Sequence, residues 1–400
     1  MSHRASVLLG EATTKVGSGA TPRGGEAAYK TSGVPLIRSM NIHFDGLRRE
    51  GLAFLDAEQA DDLKNVEVRA RDVLLNITGA SIGRVAIAPP DMDGARVNQH
   101  VCIIRPTRDL DPSFLRWYLA SPSMQRLIHG IESGATRQAL TKEKILGFEV
   151  PLLSAREQQG IVAEIETQFS RLDEAVGSLG RVRSRLGAYR AGVLQQFFGV
   201  EPNVCLADLV ATGPQNGLYL PKSAYGSGVP ILRIDDYQTD WIRPVADLRQ
   251  VQASGAQIQA WSLVPGDLVV NRVNSMSHLG KCVSIPDSLD GALFESNMMR
   301  LHLKPEALPR YVELYLGSRL GKKRLTENAK WAVNQASINQ QDVLATRLPL
   351  PDAQEQASII AEVDRRLSIA RGVEAQVEAN LKRAQSLRQA VLDKAFAVEA

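Results

Sequence analysis

The chain has 400 residues, 44% hydrophobic and 23% charged, enough apolar material for two or three buried cores. That composition argues against a disordered, collagen-like or membrane-embedded chain. Lys and Arg number 47 against 44 Asp and Glu, a formal charge of +3, so the basic excess of a small nucleic-acid-binding domain is missing. Cys102, Cys205 and Cys282 lie far apart with no CxxC pair, which points away from a zinc site or a disulfide framework and toward a reducing cytoplasm. No run approaches the ~18 apolar residues of a membrane span, and the opening MSHRASVLLGEATTK lacks the apolar stretch of a signal peptide.

In chain order, residues 1–150 read as a β-rich domain. Short runs such as Asp72-Val73-Leu74-Leu75-Asn76-Ile77 and Val101-Cys102-Ile103-Ile104 alternate with turns such as Thr21-Pro22-Arg23-Gly24-Gly25. A helix is expected over Ser113-Phe114-Leu115-Arg116-Trp117-Tyr118-Leu119. From 151 to 200 the texture changes, with no proline between Pro151 and Pro202, and a long helix is predicted. Heptads place Val162, Phe169, Val176, Arg183, Arg190 and Phe197 at a, and Ile165, Leu172, Leu179, Leu186 and Val193 at d.

The chain then repeats itself. Gly228-Val229-Pro230-Ile231-Leu232-Arg233 answers Gly33-Val34-Pro35-Leu36-Ile37-Arg38, and Asp267-Leu268-Val269-Val270-Asn271 answers Asp72-Val73-Leu74-Leu75-Asn76. Leu348 to Asp364 (LPLPDAQEQASIIAEVD) answers Val150 to Glu166 (VPLLSAREQQGIVAEIE). A period near half the chain is too long for a solenoid and reads as a duplicated domain with its trailing helix. The second domain occupies 201–348 and the second helix 349–400. That helix keeps the register, with Ile360, Leu367, Glu374, Leu381, Arg388 and Ala395 at a and Val363, Ala370, Val377, Ala384 and Val391 at d. Five heptads of such patterning predict that the helices pair as a coiled coil; the alternative is two amphipathic helices, each packed on its own domain. The charged a positions exclude a continuous dry seam. Pairing of two copies by pseudo-two-fold symmetry makes the coiled coil antiparallel, with a domain at each end.

Signatures of catalysis fail one by one. Around Leu279-Gly280-Lys281-Cys282, Ser275 replaces the first glycine of a P-loop and Cys282 its Ser/Thr. His3, His43, His100, His129, His278 and His302 form no HxH or HExxH, so no metal site is expected. No GxGxxG follows a strand, and Ala88-Pro89-Pro90-Asp91 lacks the Asn and aromatic residue of an amino-methyltransferase loop. No catalytic residue is therefore assigned.

Two non-catalytic domains on a helical rod describe a two-handed binding module. Polar side chains gather in turns: Asn76, Thr78, Ser81 and Arg84, then Thr136, Arg137, Gln138 and Lys142, in copy one; Asn271, Arg272, Asn274, His278, Lys281, Asn334 and Gln335 in copy two. Arg38 and Arg233 close matched segments. Arg, Asn and Gln can bond base edges two-fold, whereas Lys, Ser and Thr suit phosphates; the alternative for each is an ordinary turn-forming residue. The net charge of each of the four segments stays within two units of zero, so phosphate binding requires basic side chains sorted onto one face.

The paired Pro-Leu-x-x-x-x-Glu-Gln segments at Pro151 and Pro349, each heading a long helix, resemble the specificity (S) subunits of type I restriction-modification enzymes, and the resemblance spans essentially the whole chain. It implies an α+β fold: a tandem repeat of two β-rich target-recognition domains, each followed by a long helix, the two helices pairing as an antiparallel coiled coil. It implies that each domain reads one half of a bipartite double-stranded DNA site. The helices would set the spacer and dock two methyltransferase subunits, through Glu157, Gln158, Ile161, Leu172, Leu179 and Leu186 in the first and Glu355, Gln356, Ile359, Leu367 and Leu381 in the second. S-adenosylmethionine, ATP and Mg are expected on partner subunits, including restriction/translocase chains, and none on this chain. A protein-binding scaffold without DNA readout and a methylation-only system are the alternatives.

Overall fold

In a computed structural model, the described residues are 5–132, 139–238, 241–275, 278–332 and 335–397. They form two compact units, residues 1–179 with 379–400, and residues 180–378.

The units share one core topology, to which, among the described residues, unit two adds a three-stranded sheet of Val273–Asn274, Gln335–Ser337 and Lys330–Ala332. In the first, a four-stranded antiparallel sheet runs in the order Thr13–Ser18, Val101–Pro106, Val73–Asn76, Val85–Ile87; in the second the order is Val210–Asn216, Met298–Leu303, Leu268–Asn271, Cys282–Ser284. Register repeats too: Val101 lies opposite Asn76, and Met298 opposite Asn271. A second sheet joins Ala53–Leu55, Val34–Ile37 and Arg96–Val97 in unit one and Arg249–Val251, Tyr225–Leu232 and Leu293–Phe294 in unit two, its last pair parallel in both. Small pairs, Ser6–Leu8 with Glu149–Pro151 and Val204–Cys205 with Arg347–Leu348, hold the start of each domain to its end.

The central strand explains why the runs near residues 73 and 268 are apolar without alternation. Val73 and Leu75 enter one core while Leu74 enters another; in unit two Leu268 and Val270 enter one and Val269 a second. Each strand is sandwiched, so both of its faces are apolar.

Two long helices follow the domains, Ala155–Phe198 and Ala353–Phe396, each roughly 66 Å at 1.5 Å per residue. Their pairing is antiparallel in both units. In unit one Arg388 bonds Asp173. In unit two Arg183 faces Glu378 at 3.6 Å, Arg190 faces Glu374 at 2.8 Å and Arg366 bonds Gln196 at 2.8 Å. Numbers rise on one helix as they fall on the other. Of the d positions Ile165, Val193, Val363, Ala370, Val377 and Ala384 are buried, and the rest are half-buried. Charged a residues pair across the seam, as Arg190 and Glu374 do, and Arg388 also lies over the Phe169 ring at 4.9 Å.

The helix ends are exchanged between copies. Phe396, the last residue of the second helix, packs against Phe114 and Tyr118 of unit one, with ring centroids 5.6 and 5.4 Å apart. Phe198, its counterpart on the first helix, packs against Tyr311 and Tyr315 of unit two at 5.3 and 5.9 Å. Each helix thus begins on one domain's core and ends on the other's. No helix among the described residues is long and apolar enough to cross a membrane.

Candidate nucleic-acid interface

Both units close the loop after the central strand with the same backbone hydrogen bond. The Asn76 carbonyl accepts from the Gly83 N–H at 2.9 Å, and the Asn271 carbonyl from the Gly280 N–H at 2.9 Å. Gly83 (φ 82°) and Gly280 (φ 72°) adopt the left-handed region, where a Cβ is strained. It would also press on Gln125 Oε1 at 2.5 Å and Leu325 Cδ2 at 2.8 Å, respectively.

This turn corrects the sequence reading of its asparagines. Asn76 and Asn271 are fully buried. Asn76 Nδ2 donates to the Ser39 carbonyl at 2.8 Å and to Ser81 Oγ at 3.1 Å, and Asn271 Nδ2 donates to the His278 carbonyl at 3.1 Å. They brace the turns from within and present nothing to a base. Ser81 is held in the same brace, and Thr78 Oγ1 lies 2.6 Å from His100 Nδ1.

Several candidate cations are likewise taken up by the fold. Arg38 donates to Glu26 Oε1 at 3.3 Å and to the Gly51 carbonyl at 2.7 Å, and Arg233 donates to Glu295 Oε2 at 3.0 Å. Both tie neighbouring segments of the smaller sheet together. Lys281 reaches the Ile234 carbonyl at 2.6 Å and lies 4.6 Å from the Tyr237 ring centroid; burial pulls its ammonium below the usual lysine range. Arg272 donates to the Ser296 carbonyl at 3.2 Å, and Asn274 Oδ1 accepts from the Ser275 N–H at 2.8 Å.

The groups left over are fewer. Arg84, Lys142 and Gln335 make no side-chain hydrogen bond or ion pair to any described residue; Arg84 is half-buried, the other two exposed. Thr136, Arg137, Gln138 and Asn334 lie outside the described residues. Composition missed two further groups, Lys330 and Trp331, on the strand that pairs with Gln335–Ser337. Their signal in the sequence is a cation beside an aromatic residue, separated by Ala332-Val333 from polar Asn334-Gln335.

The helical candidates also divide. Gln158 and Gln356, buried at 2% and 0% exposure, are staples and not docking groups. Gln158 Oε1 accepts from the Asp111 N–H at 2.8 Å, while its Nε2 donates to the Asp109 and Leu153 carbonyls at 2.8 and 2.9 Å. Gln356 repeats this on the Leu308 N–H and the Glu306 and Pro351 carbonyls, at 2.9, 2.8 and 2.9 Å. The preceding Glu157 and Glu355 are exposed; Glu157 completes a cap with Ser154, its Oε2 accepting from the Ser154 N–H at 2.8 Å. Ile161 and Leu172 pack on the core of unit one, and Ile359 and Leu367 on that of unit two, so these four are spent within the chain. Leu179, Leu186 and Leu381 are half-buried along the helices. The open apolar side chains sit beside the seam, one residue before each a position: Val182, Tyr189, Val373 and Leu387, 36 to 46% exposed. No group of three His, Cys, Asp or Glu among the described residues is placed to hold a metal ion.

Comparisons with known proteins agree with this architecture. The profile of the family described as "Type I restriction modification DNA specificity domain" matches residues 53–175. The chain is 23% identical over 389 residues to the type I restriction enzyme EcoKI specificity subunit of Escherichia coli (strain K12), covering 91% of this chain and 82% of that one. It is 24% identical to the StySPI specificity subunit of Salmonella potsdam, covering 91% and 81%. Among solved structures, one reported under "Structural basis underlying complex assembly and conformational transition of the type I R-M system" matches with a TM-score of 0.73 at 19% identity, covering 99% of this chain and 98% of that one. The HsdS subunit from Thermoanaerobacter tengcongensis matches with a TM-score of 0.51, also at 19% identity, covering 99% and 97%. At such identity the structural matches speak for the fold.

Proposed function

This chain belongs to the specificity subunits of type I restriction-modification systems, and from that premise we propose how its two halves divide the work. Each β-rich domain reads one half of a bipartite double-stranded DNA site. The chain itself performs no chemistry: methyl transfer from S-adenosylmethionine, and ATP- and Mg-dependent translocation and cleavage, reside on partner subunits. The paired helices hold the two readers at a set spacing and dock two methyltransferase subunits. The apolar side chains that flank the seam at Val182, Tyr189 and Val373 are open for that contact, because the seam residues themselves are consumed by helix pairing.

The observation that carries this reading is duplication with divergence. The two larger sheets and one glutamine staple occur twice, while the polar segments differ in sequence: copy one carries Thr136-Arg137-Gln138 and copy two Val333-Asn334-Gln335. Matching scaffolds with different polar segments suit two different half-sites.

The test is a domain exchange. Replacing residues 1–150 by another recognition domain of the family should change one half of the methylated sequence and leave the other half and the spacing alone. A change in both halves, or in neither, contradicts the division of labour.

A further inference from the structure

We propose that Trp331 is a DNA-contact residue of the second domain, stacking its indole on a base of that domain's half-site; the proposal rests on the reading of the chain as a two-handed DNA reader. Trp331 is 73% exposed, in a chain with only 5% aromatic residues. It sits on Lys330–Ala332, the edge strand of a three-stranded sheet ordered Val273–Asn274, Gln335–Ser337, Lys330–Ala332. Its register partner is Ala336, which in turn pairs with Asn274. The indole N–H, the Lys330 ammonium and the Gln335 amide make no hydrogen bond or ion pair to any described residue. Most other candidate readers of this unit, by contrast, are taken up by the fold.

The two strands therefore offer three uncommitted chemistries on their two faces: the flat aromatic face of Trp331 on one, and on the other the Lys330 cation for phosphate and, on the residue paired with Ala332, the Gln335 amide for a base edge. A two-stranded ribbon fits the major groove, and in a duplex an indole can stack on a base where a base step is partly unstacked or a base is flipped out of the stack. A protein partner is the poorer occupant, because charged side chains are depleted from the centres of protein interfaces. An indole left in water on an edge strand is also a liability for self-association, which a DNA partner removes by covering it. In sequence, aligning the helix N-caps Thr141 and Asn339 matches Ser133 and Glu132 to Trp331 and Lys330, so copy one has no aromatic residue at the matching position and the stacking is assigned to the second half-site.

The experiment uses the complex reconstituted with its methyltransferase subunits and a duplex carrying the methylation site mapped in cells. Trp331→Ala should weaken binding about 5- to 150-fold, the range seen when one stacked aromatic is removed, with Trp331→Phe recovering most of the loss. The dependence of affinity on salt should keep its slope, because no phosphate contact is removed, whereas Lys330→Ala should lower that slope by about one. Unchanged affinity in Trp331→Ala, a shallower salt slope in that variant, or loss of the methyltransferase subunits from it would each overturn the proposal. If the unaltered complex shows no salt-dependent DNA binding, the two-handed reading itself fails, and that result is separable from an effect of Trp331.

Discussion

Gln158 and Gln356 each satisfy three backbone groups at the point where a domain meets its long helix. A buried amide with all of its partners in place fixes the exit direction of the helix, because any tilt breaks several bonds together. Truncation leaves the part-buried Asp111 or Leu308 N–H without its acceptor, at a cost of about 1–3 kcal/mol. Gln158→Ala and Gln356→Ala should each lower stability by that amount in urea unfolding of the purified chain, and proteolysis should become faster in the unit that carries the change. A loss under about 0.5 kcal/mol, the usual range for surface substitutions, would show that the staple does not hold the joint. At this scale the sequence was legible as a motif but not as a role. The repeated Glu-Gln pair marks the helix start, yet which of the two faces inward depends on a loop some 47 residues earlier. Asn76 and Asn271 misled for a related reason. Their strands are buried on both faces, so polar character at the strand end does not distinguish a side chain turned outward from one bracing the turn beneath.

The long helices were more legible, because heptad spacing depends on nothing outside the helix. Ile165, Val193, Val363 and Val377 are buried as their d positions require. The charged a positions exclude a dry seam, as the pattern implies, but their partners come from the other helix and have no local signal. Arg190 and Glu374 pair at 2.8 Å while partly exposed, so solvent weakens their attraction. Their contribution is to register more than to stability, worth about 1 kcal/mol or less. Arg190→Glu should lower the melting temperature of the chain modestly, Glu374→Arg likewise, and the double reversal should recover most of both losses. Additive losses in the double variant would mean that the pair does not interact across the seam. The exchange of helix ends through Phe198 and Phe396 was not legible. Both phenylalanines read as ordinary terminal apolar residues until the partner domain's aromatic pair is in view.

For the whole molecule, the duplication was visible because two segments match in their motif residues around Pro151 and Pro349, and the two larger sheets then repeat strand by strand. The proposed reading surface was the least legible part. Net charge near zero hides it, and several polar turn residues turn out to be structural, so the uncommitted groups emerge only after the internal hydrogen bonds are assigned. The central claim is that one chain carries two different readers at a fixed separation. Mapping methylated adenines across the genome of cells that express the chain with the methyltransferase subunits proposed for it tests this most directly. The account predicts one asymmetric motif in two parts, separated by a gap of constant length and unspecified sequence, that disappears when this chain is deleted. A single uninterrupted motif, a gap of variable length, or methylation that persists without the chain would contradict it.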